Sequence, residues 1–234
     1  WLDGRQFAEK GRAGAMALRA ATIESGTPVE DTLVDAKVCD CCPTATARTD
    51  QGVIVAYRDR SDTEVRDIAV TRLVGGKWTT PATVFEDNWQ INACPVNGPA
   101  LAATGRNVAV AWFTVAGGTA RVKVAFSTDG GETFSAPSVV ESEATFGRLG
   151  LVMLDADRAL VSAIEKVGGA DQIVVREAKR GGRVGPPKPV AATTFERTSG
   201  FPRMAVSGRR VWFAWTDVTS GAVPRVRVAS ARLK

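Results

Sequence analysis

The feature that most narrows what this chain can fold into is a repeat of just over fifty residues. Five short segments end in related sequences: Trp1-Leu2-Asp3, Tyr57-Arg58-Asp59, Trp112-Phe113-Thr114, Ala163-Ile164-Glu165 and Trp215-Thr216-Asp217. Their first residues lie 56, 55, 51 and 52 positions apart. Four are preceded by alternating apolar runs, such as Val53-Ile54-Val55-Ala56 and Val108-Ala109-Val110-Ala111, which read as strands. A second strand follows each, from Met16 to Ala21, Ile68 to Leu73, Val122 to Ser127, Ile173 to Ala178 and Val226 to Ala231. Further strands, such as those from Ala100 to Ala103 and Leu151 to Leu154, lie between the units. The only span with helical character runs around Gln6 to Arg19, and its glycines weaken it. Four short strands per unit, repeated in series, fit the four-stranded antiparallel blades of an all-β propeller; a β-sandwich would not repeat so regularly.

The frame sets repeats near residues 1–37, 38–92, 93–146, 147–197 and 198–234 of one propeller domain. It opens inside a second strand at Trp1, without an initiator methionine or a signal-peptide pattern, which points to processing or truncation. The expectation is a chain that is N-terminally incomplete: the C-terminal two-thirds or more of a six-bladed propeller.

One hairpin is specified residue by residue. In Ser127-Thr128-Asp129-Gly130-Gly131-Glu132-Thr133-Phe134, Asp129 can bond back to nearby backbone amides and the two glycines can take positive φ, while Phe134 can return into the sheet. The pattern resembles the Asp box, S-x-D-x-G-x-x-F/W, of the sialidase-like BNR-repeat propellers, with Ser127, Asp129, Gly131 and Phe134 at the motif positions. Gly75-Gly76-Lys77-Trp78 and Gly181-Gly182-Arg183 are degenerate equivalents in other units. The resemblance implies a six-bladed fold. For active members it also implies three arginines on a sugar carboxylate, a glutamate-activated tyrosine nucleophile and an aspartate acid/base. Tyr57 is the only tyrosine, and it stands at the strand position that Trp112 and Trp215 hold in other units, where it would pack between sheets. Arg60, Arg66, Arg148 and Arg203 could supply the arginines, but none has the family's Phe-Arg-Ile-Pro context; Phe201-Pro202-Arg203 is a scrambled echo of it. Asp59 or Asp62 could be the acid.

Antiparallel connectivity sorts the loops. Loops after second and fourth strands share one face, and the Asp-box hairpin, which follows a third strand, lies on the other. The first of these faces collects Asp3, Asp59-Arg60-Ser61-Asp62, Glu165-Lys166 and Asp217 after second strands. Between units it collects Cys39-Asp40-Cys41-Cys42, Cys94-Pro95-Val96-Asn97, Gly147-Arg148 and Ser199 to Arg203. Carboxylates beside arginines around a depression suit a carbohydrate or other anionic small ligand, with Arg58, Arg60, Arg66, Asn97, Arg148 and Arg203 as ligand-binding candidates. The recurring acids can equally cap their own loops by accepting backbone amide bonds.

The four cysteines, Cys39, Cys41, Cys42 and Cys94, fall on this same face. Cys94 lies one repeat beyond Cys39, where first strands of adjacent blades converge. A disulfide from Cys94 to one of the other three is therefore geometrically open, and the remaining two could pair or stay free. Such a bridge would close a loop of roughly 55 residues, worth about 3–4 kcal/mol in the chain-entropy model. The alternative is a soft-metal site, Cu(I) or zinc, on the same four thiolates, although the spacing lacks the paired Cys-x-x-Cys of a zinc ribbon. Disulfides imply an extracytoplasmic location, periplasmic or secreted. The cluster also resembles one found in secreted bacterial BNR-repeat proteins of unassigned activity.

Composition trims the options. The chain has no histidine, which removes Ser-His-Asp and Cys-His catalysis and most catalytic zinc sites within it. No apolar run approaches the roughly 20 residues of a membrane span. Residues 166–234 carry 14 Lys/Arg against 4 Asp/Glu, but their arginines alternate with apolar residues as exposed strand positions do. The basic stretch therefore reads as solvated strand faces, not a nucleic-acid surface, and no cofactor is indicated. The resulting reading is a glycan- or anion-recognition or scaffold module, with an exo-acting, sialidase-type glycoside hydrolase as the alternative.

Overall fold

The computed structural model describes residues 1–11, 14–141, 144–219 and 223–233. They form a β-propeller of antiparallel blades in chain order. The first sheet holds β1 (Leu2–Asp3), β2 (Met16–Glu24) and β3 (Thr27–Val38). The second holds β4 (Ala45–Thr49), β5 (Gly52–Arg58), β6 (Ile68–Val74) and a split outer strand, β7 (Lys77–Trp78) and β8 (Ala82–Thr83), both paired with β6. The third runs β9 (Ala100–Thr104), β10 (Asn107–Thr114), β11 (Arg121–Ser127) and β12 (Ser138–Val139). The fourth runs β13 (Thr145–Met153), β14 (Arg158–Val167), β15 (Ala170–Lys179) and β16 (Lys188–Ala192), and the fifth holds β17 (Arg203–Ser207), β18 (Arg210–Asp217) and β19 (Arg225–Arg232). The innermost strands β4, β9, β13 and β17 lie side by side.

In the Gln6-to-Arg19 span, whose glycines weaken its helical character, one short helix is described, α1 (Arg5–Lys10), with Gly11 at its C-terminal end, and β2 has begun by Met16. Among the described residues, no helix is long and apolar enough to cross a membrane.

Each central blade buries both faces, which is why its middle strands are nearly continuous apolar runs. Along β10, Val108, Val110 and Trp112 face the second sheet and pack with Ile54, Ala56, Ile68 and Val70. Ala109, Ala111 and Phe113 point the other way and pack with Leu149, Leu151, Val161 and Ala163 of the fourth sheet. Tyr57 fills the equivalent position between the first and second sheets, with Leu18, Val38 and Ala69. The basic final sheet differs from expectation in one respect: Arg225 and Arg227 on β19 are exposed, but so are the intervening Val226 and Val228.

The Ser127–Phe134 hairpin serves as a clip between blades. Asp129 accepts the amides of Glu132 (2.9 Å) and Thr133 (3.0 Å) and the hydroxyls of Ser127 and Thr133 (both 2.6 Å). Burial raises the Asp129 pKa, but these bonds outweigh it and hold the carboxyl down at about 2. Gly131 (φ 86°) lies so close to the neighbouring blade that an added Cβ would sit 2.2 Å from Ile54 Cδ1. Its neighbour Gly130 donates to Arg106 O at 2.8 Å, in the turn between β9 and β10. The hairpin thus lies at the end of the blades remote from the cysteines.

Candidate functional site

The opposite end is built from loops that follow second strands and loops that join blades, and one arginine ties them together. Arg58, at the end of β5, is 1% exposed. Its Nε donates to Asn97 O (2.9 Å), Nη1 to Arg66 O (2.6 Å) and Nη2 to Phe113 O (2.6 Å), and its guanidinium lies 4.9 Å from the centre of the Trp89 ring. The sequence offered Arg58 as a ligand contact; its place is the interior, where it donates to the carbonyls of two loops and of β10. Arg60 and Arg66 are also engaged. Glu64 holds both, at 2.8 Å each, and Arg60 reaches Asp40 at 3.2 Å. The Arg60 and Arg66 hydrogen bonds outweigh desolvation and lower the Glu64 pKa to about 2.

The sulfurs sit beside this ion-pair chain. Cys41 and Cys94 form a disulfide across 53 positions, joining the start of the second blade to the start of the third. Cys39 and Cys42 are free and buried, with sulfurs 2.6 Å apart, and Cys39 Sγ is 4.0 Å from Cys41 Sγ. Arg66 Nη1 approaches Cys39 Sγ at 3.5 Å. The Cys42 hydrogen bond, then the Cys41 backbone amide and Arg66, lower the Cys39 pKa against burial, while the Cys39 bond and burial raise that of Cys42. Of the four thiolates the soft-metal alternative requires, two are consumed by the Cys41–Cys94 bond.

The carboxylates mostly cap their own loops. Asp3 accepts Arg5 N (3.0 Å), Asp59 accepts Arg60 N (2.7 Å) and Asp217 accepts Thr219 N (3.0 Å), while Glu165 pairs with buried Arg176. Asp62 is exposed and pairs with Lys37 at 2.8 Å. Desolvation, with Asp35 and Asp67 nearby, raises the Asp59 pKa to about 6. Tyr57, 1% exposed, donates its hydroxyl to Asp35 Oδ2 at 2.6 Å, and burial raises its pKa further from the range of a nucleophile. Its oxygen is therefore committed between sheets and not presented to a ligand.

Asn97 and Arg148, in contrast, come together. Two register shifts in β13, between Thr145 and Gly147 and between Gly147 and Gly150, bulge the strand and turn out Phe146 and Arg148. Asn97 Oδ1 accepts the Arg148 amide at 2.8 Å, and Asn97 Nδ2 donates to Phe146 O at 3.2 Å. Gly147 leaves room for this, since a Cβ there would lie 2.5 Å from Asn97 Oδ1. Arg148 then reaches into the loop before β17, where Nη1 donates to Ser199 Oγ (2.6 Å) and Nη2 to Phe195 O (2.6 Å). The Phe146 and Phe195 rings stack with centres 4.8 Å apart.

These groups, with Pro95, Val96, Glu196 and Arg197, line a cavity of about 320 Å³. Burial, then the nearby Arg197 charge, lower the Arg148 pKa. Arg197 is exposed, and among the described residues no carboxylate lies within ion-pairing distance of it or of Arg148. Backbone strain gathers on this face: Glu64, Asn88, Val96 and Arg148 all have positive φ (62°, 56°, 51° and 55°), the Val96 value being the most costly for a β-branched side chain. Arg203 is exposed but lines a different cavity, of about 300 Å³, among the inner strands with Thr44, Thr46 and Gly150. Sequence reasoning missed Phe146, Phe195 and Arg197. The signal available was an aromatic residue two positions before an arginine in consecutive inter-blade loops.

No family model matches the chain, and no curated protein matches its sequence. Its fold is similar to the Hadza microbial sialidase Hz136 (16% identity, TM-score 0.54, covering 92% of this chain and 52% of that one). It is also similar to the phage phi92 endosialidase (12%, 0.58, 89% and 39%) and to a xylan β-1,4-xylosidase from Bacillus halodurans (12%, 0.52, 80% and 39%). The chain thus spans about half or less of these glycosidases. At such identities the likeness is one of fold, and the fold hosts more than one sugar chemistry.

Proposed function

We propose that the chain is a carbohydrate-recognition module of sialidase-like, BNR-repeat type that binds an anionic glycan between Asn97, Arg148, Phe146, Phe195 and Arg197. The observation that carries this is a pair of neighbouring guanidiniums that make no ion pair among the described residues, beside a stacked aromatic wall. A sugar carboxylate would neutralise Arg197, while an apolar sugar face would rest on Phe195. Arg148 acts mainly by holding the loop that presents Arg197. Arg60 and Arg66 support the face through Glu64, and Arg203 marks a second, axial contact for a longer glycan. The Ser127–Phe134 hairpin is then an Asp box with a structural role, the complete propeller six-bladed, and the disulfide suits a periplasmic or secreted location.

Titration with 3′-sialyllactose and with neutral lactose tests the reading. Wild-type protein should bind the sialylated sugar and not lactose, and Arg197→Ala should weaken binding about tenfold or more. Equal binding by the variant, or no preference for the charged sugar, would falsify the site.

One observation favours a second reading, an exo-acting glycoside hydrolase. Asp59 has a pKa raised to about 6, in the range of a general acid. Release of fluorophore from a sialyl or other glycosyl substrate, lost in Asp59→Asn, would establish it.

A further inference from the structure

We propose that the four cysteines form a thiol–disulfide relay, in which the buried Cys39–Cys42 pair exchanges its electrons with the surface Cys41–Cys94 disulfide. The sulfurs make a continuous file from solvent to interior. Cys94 is exposed and Cys41 half-buried, and the two are bonded. Cys39 stands behind Cys41 with 4.0 Å between sulfurs, and Cys42 stands 2.6 Å behind Cys39. Cys39 and Cys42 are only 1% and 2% exposed, so a reagent in solution meets the outer pair and not the inner one.

The surroundings favour thiolate at the inner end. Arg66 touches Cys39 Sγ at 3.5 Å. Arg58 is fully buried nearby and bonded to carbonyl oxygens, and among the described residues it makes no ion pair. Arg66 is shared with Glu64, but its contact with the sulfur and the uncancelled buried charge of Arg58 both lower the cost of a thiolate, the species that attacks a disulfide. The Cys39-Asp40-Cys41-Cys42 segment also gives the inner pair the two-residue spacing of exchanging dithiols.

The exchange balances without an external oxidant. The Cys39 thiolate attacks Cys41 Sγ, the Cys41–Cys94 bond breaks, and Cys94 leaves as thiolate with the electron pair. Cys42 then passes its proton to that thiolate and attacks Cys39 Sγ, and Cys41 leaves as thiolate. One disulfide, one thiol and one thiolate stand on each side, and two electrons have moved outward. The outer dithiol can then reduce a small-molecule or protein disulfide in solution, and the reverse sequence returns the inner pair to its reduced form.

The test uses the unaltered chain, fully reduced and given one molar equivalent of oxidised glutathione. Samples are acid-quenched at intervals, and the state of each cysteine is read by differential alkylation and mass spectrometry. The disulfide should appear first at Cys41–Cys94. It should then pass in part to Cys39–Cys42 at a rate independent of protein concentration. Cys94→Ser should slow oxidation of the inner pair about tenfold or more, with circular dichroism confirming that this variant is folded. A disulfide that stays on Cys41–Cys94, one that forms first at Cys39–Cys42, or a transfer rate that scales with protein concentration would each overturn the relay, with no variant required.

Discussion

The backbone amide of Arg148 donates to the side-chain oxygen of Asn97 at 2.8 Å, a bond between residues 51 positions apart at the starts of adjacent blades. Asn97 is buried, and its other side-chain atom donates to Phe146 O while its own carbonyl accepts Arg58 Nε. One amide thus joins the bulge in β13 to the buried arginine of β5. Asn97→Ala leaves the Arg148 amide and the Phe146 carbonyl without these partners. Unfolding in urea should show a loss of about 1–3 kcal/mol. Asn97→Asp keeps the acceptor for Arg148 and, measured below pH 4 where the new carboxyl is protonated, should lose less than Asn97→Ala.

Arg197 and Phe195 should separate binding from stability. Both are exposed, and the Arg197 side chain makes no ion pair among the described residues. Arg197→Ala should leave the urea midpoint within about 0.5 kcal/mol of wild type while weakening the charged sugar about tenfold. Arg148→Ala should lower both, because its guanidinium bonds Ser199 and the Phe195 carbonyl. If Arg197→Ala destabilises as much as Arg148→Ala, the assignment of presenting and holding roles is wrong.

Gly131 tests the clip between blades. Alanine there would take positive φ and place Cβ 2.2 Å from Ile54 Cδ1. Gly131→Ala should cost about 1–3 kcal/mol by thermal or urea unfolding. Adding Ile54→Val removes the methyl that is struck, so the double variant should recover part of the loss despite its own cavity. Strictly additive losses would place the cost in the backbone alone.

The blades were legible because their periodicity is enforced by burial on both faces: Val108, Val110 and Trp112 serve one neighbour and Ala109, Ala111 and Phe113 the other. The Asp129 turn was legible because its hydrogen bonds are local in sequence. The site was only half legible. Asn97 and Arg148 stood out as polar residues at equivalent loop positions, but the bulges that turn Phe146 outward leave no residue-type signature. Arg58 misled for a related reason: nothing local distinguishes an arginine that bonds the carbonyls of two loops and a neighbouring strand from one that faces solvent. The disulfide partner of Cys94 was open among Cys39, Cys41 and Cys42, and the tertiary approach of two blades selects Cys41.

Asp59 makes stability fall as pH rises. Its pKa is raised by burial to about 6, against 3.8 for the unperturbed group. Between those values the folded chain keeps a proton that the unfolded chain has lost, so folding weakens from about pH 4 to 6 and the penalty is complete above that. Asp3, Glu64 and Asp129 act in the opposite sense. Their pKa values are lowered to about 2 by Arg5, by Arg60 with Arg66, and by the Ser127 and Thr133 bonds, so the stability they give is lost as pH falls from about 4 to 2. These four groups favour the folded chain most between about pH 4 and 5. Asp59→Asn keeps an acceptor for the Arg60 amide and removes the charge. Allowing for partial exposure of the carboxyl, it should add about 1–2 kcal/mol at pH 7 and nothing at pH 4 in paired urea titrations. An equal gain at both pH values would mean that the variant acts through packing and not through the buried charge.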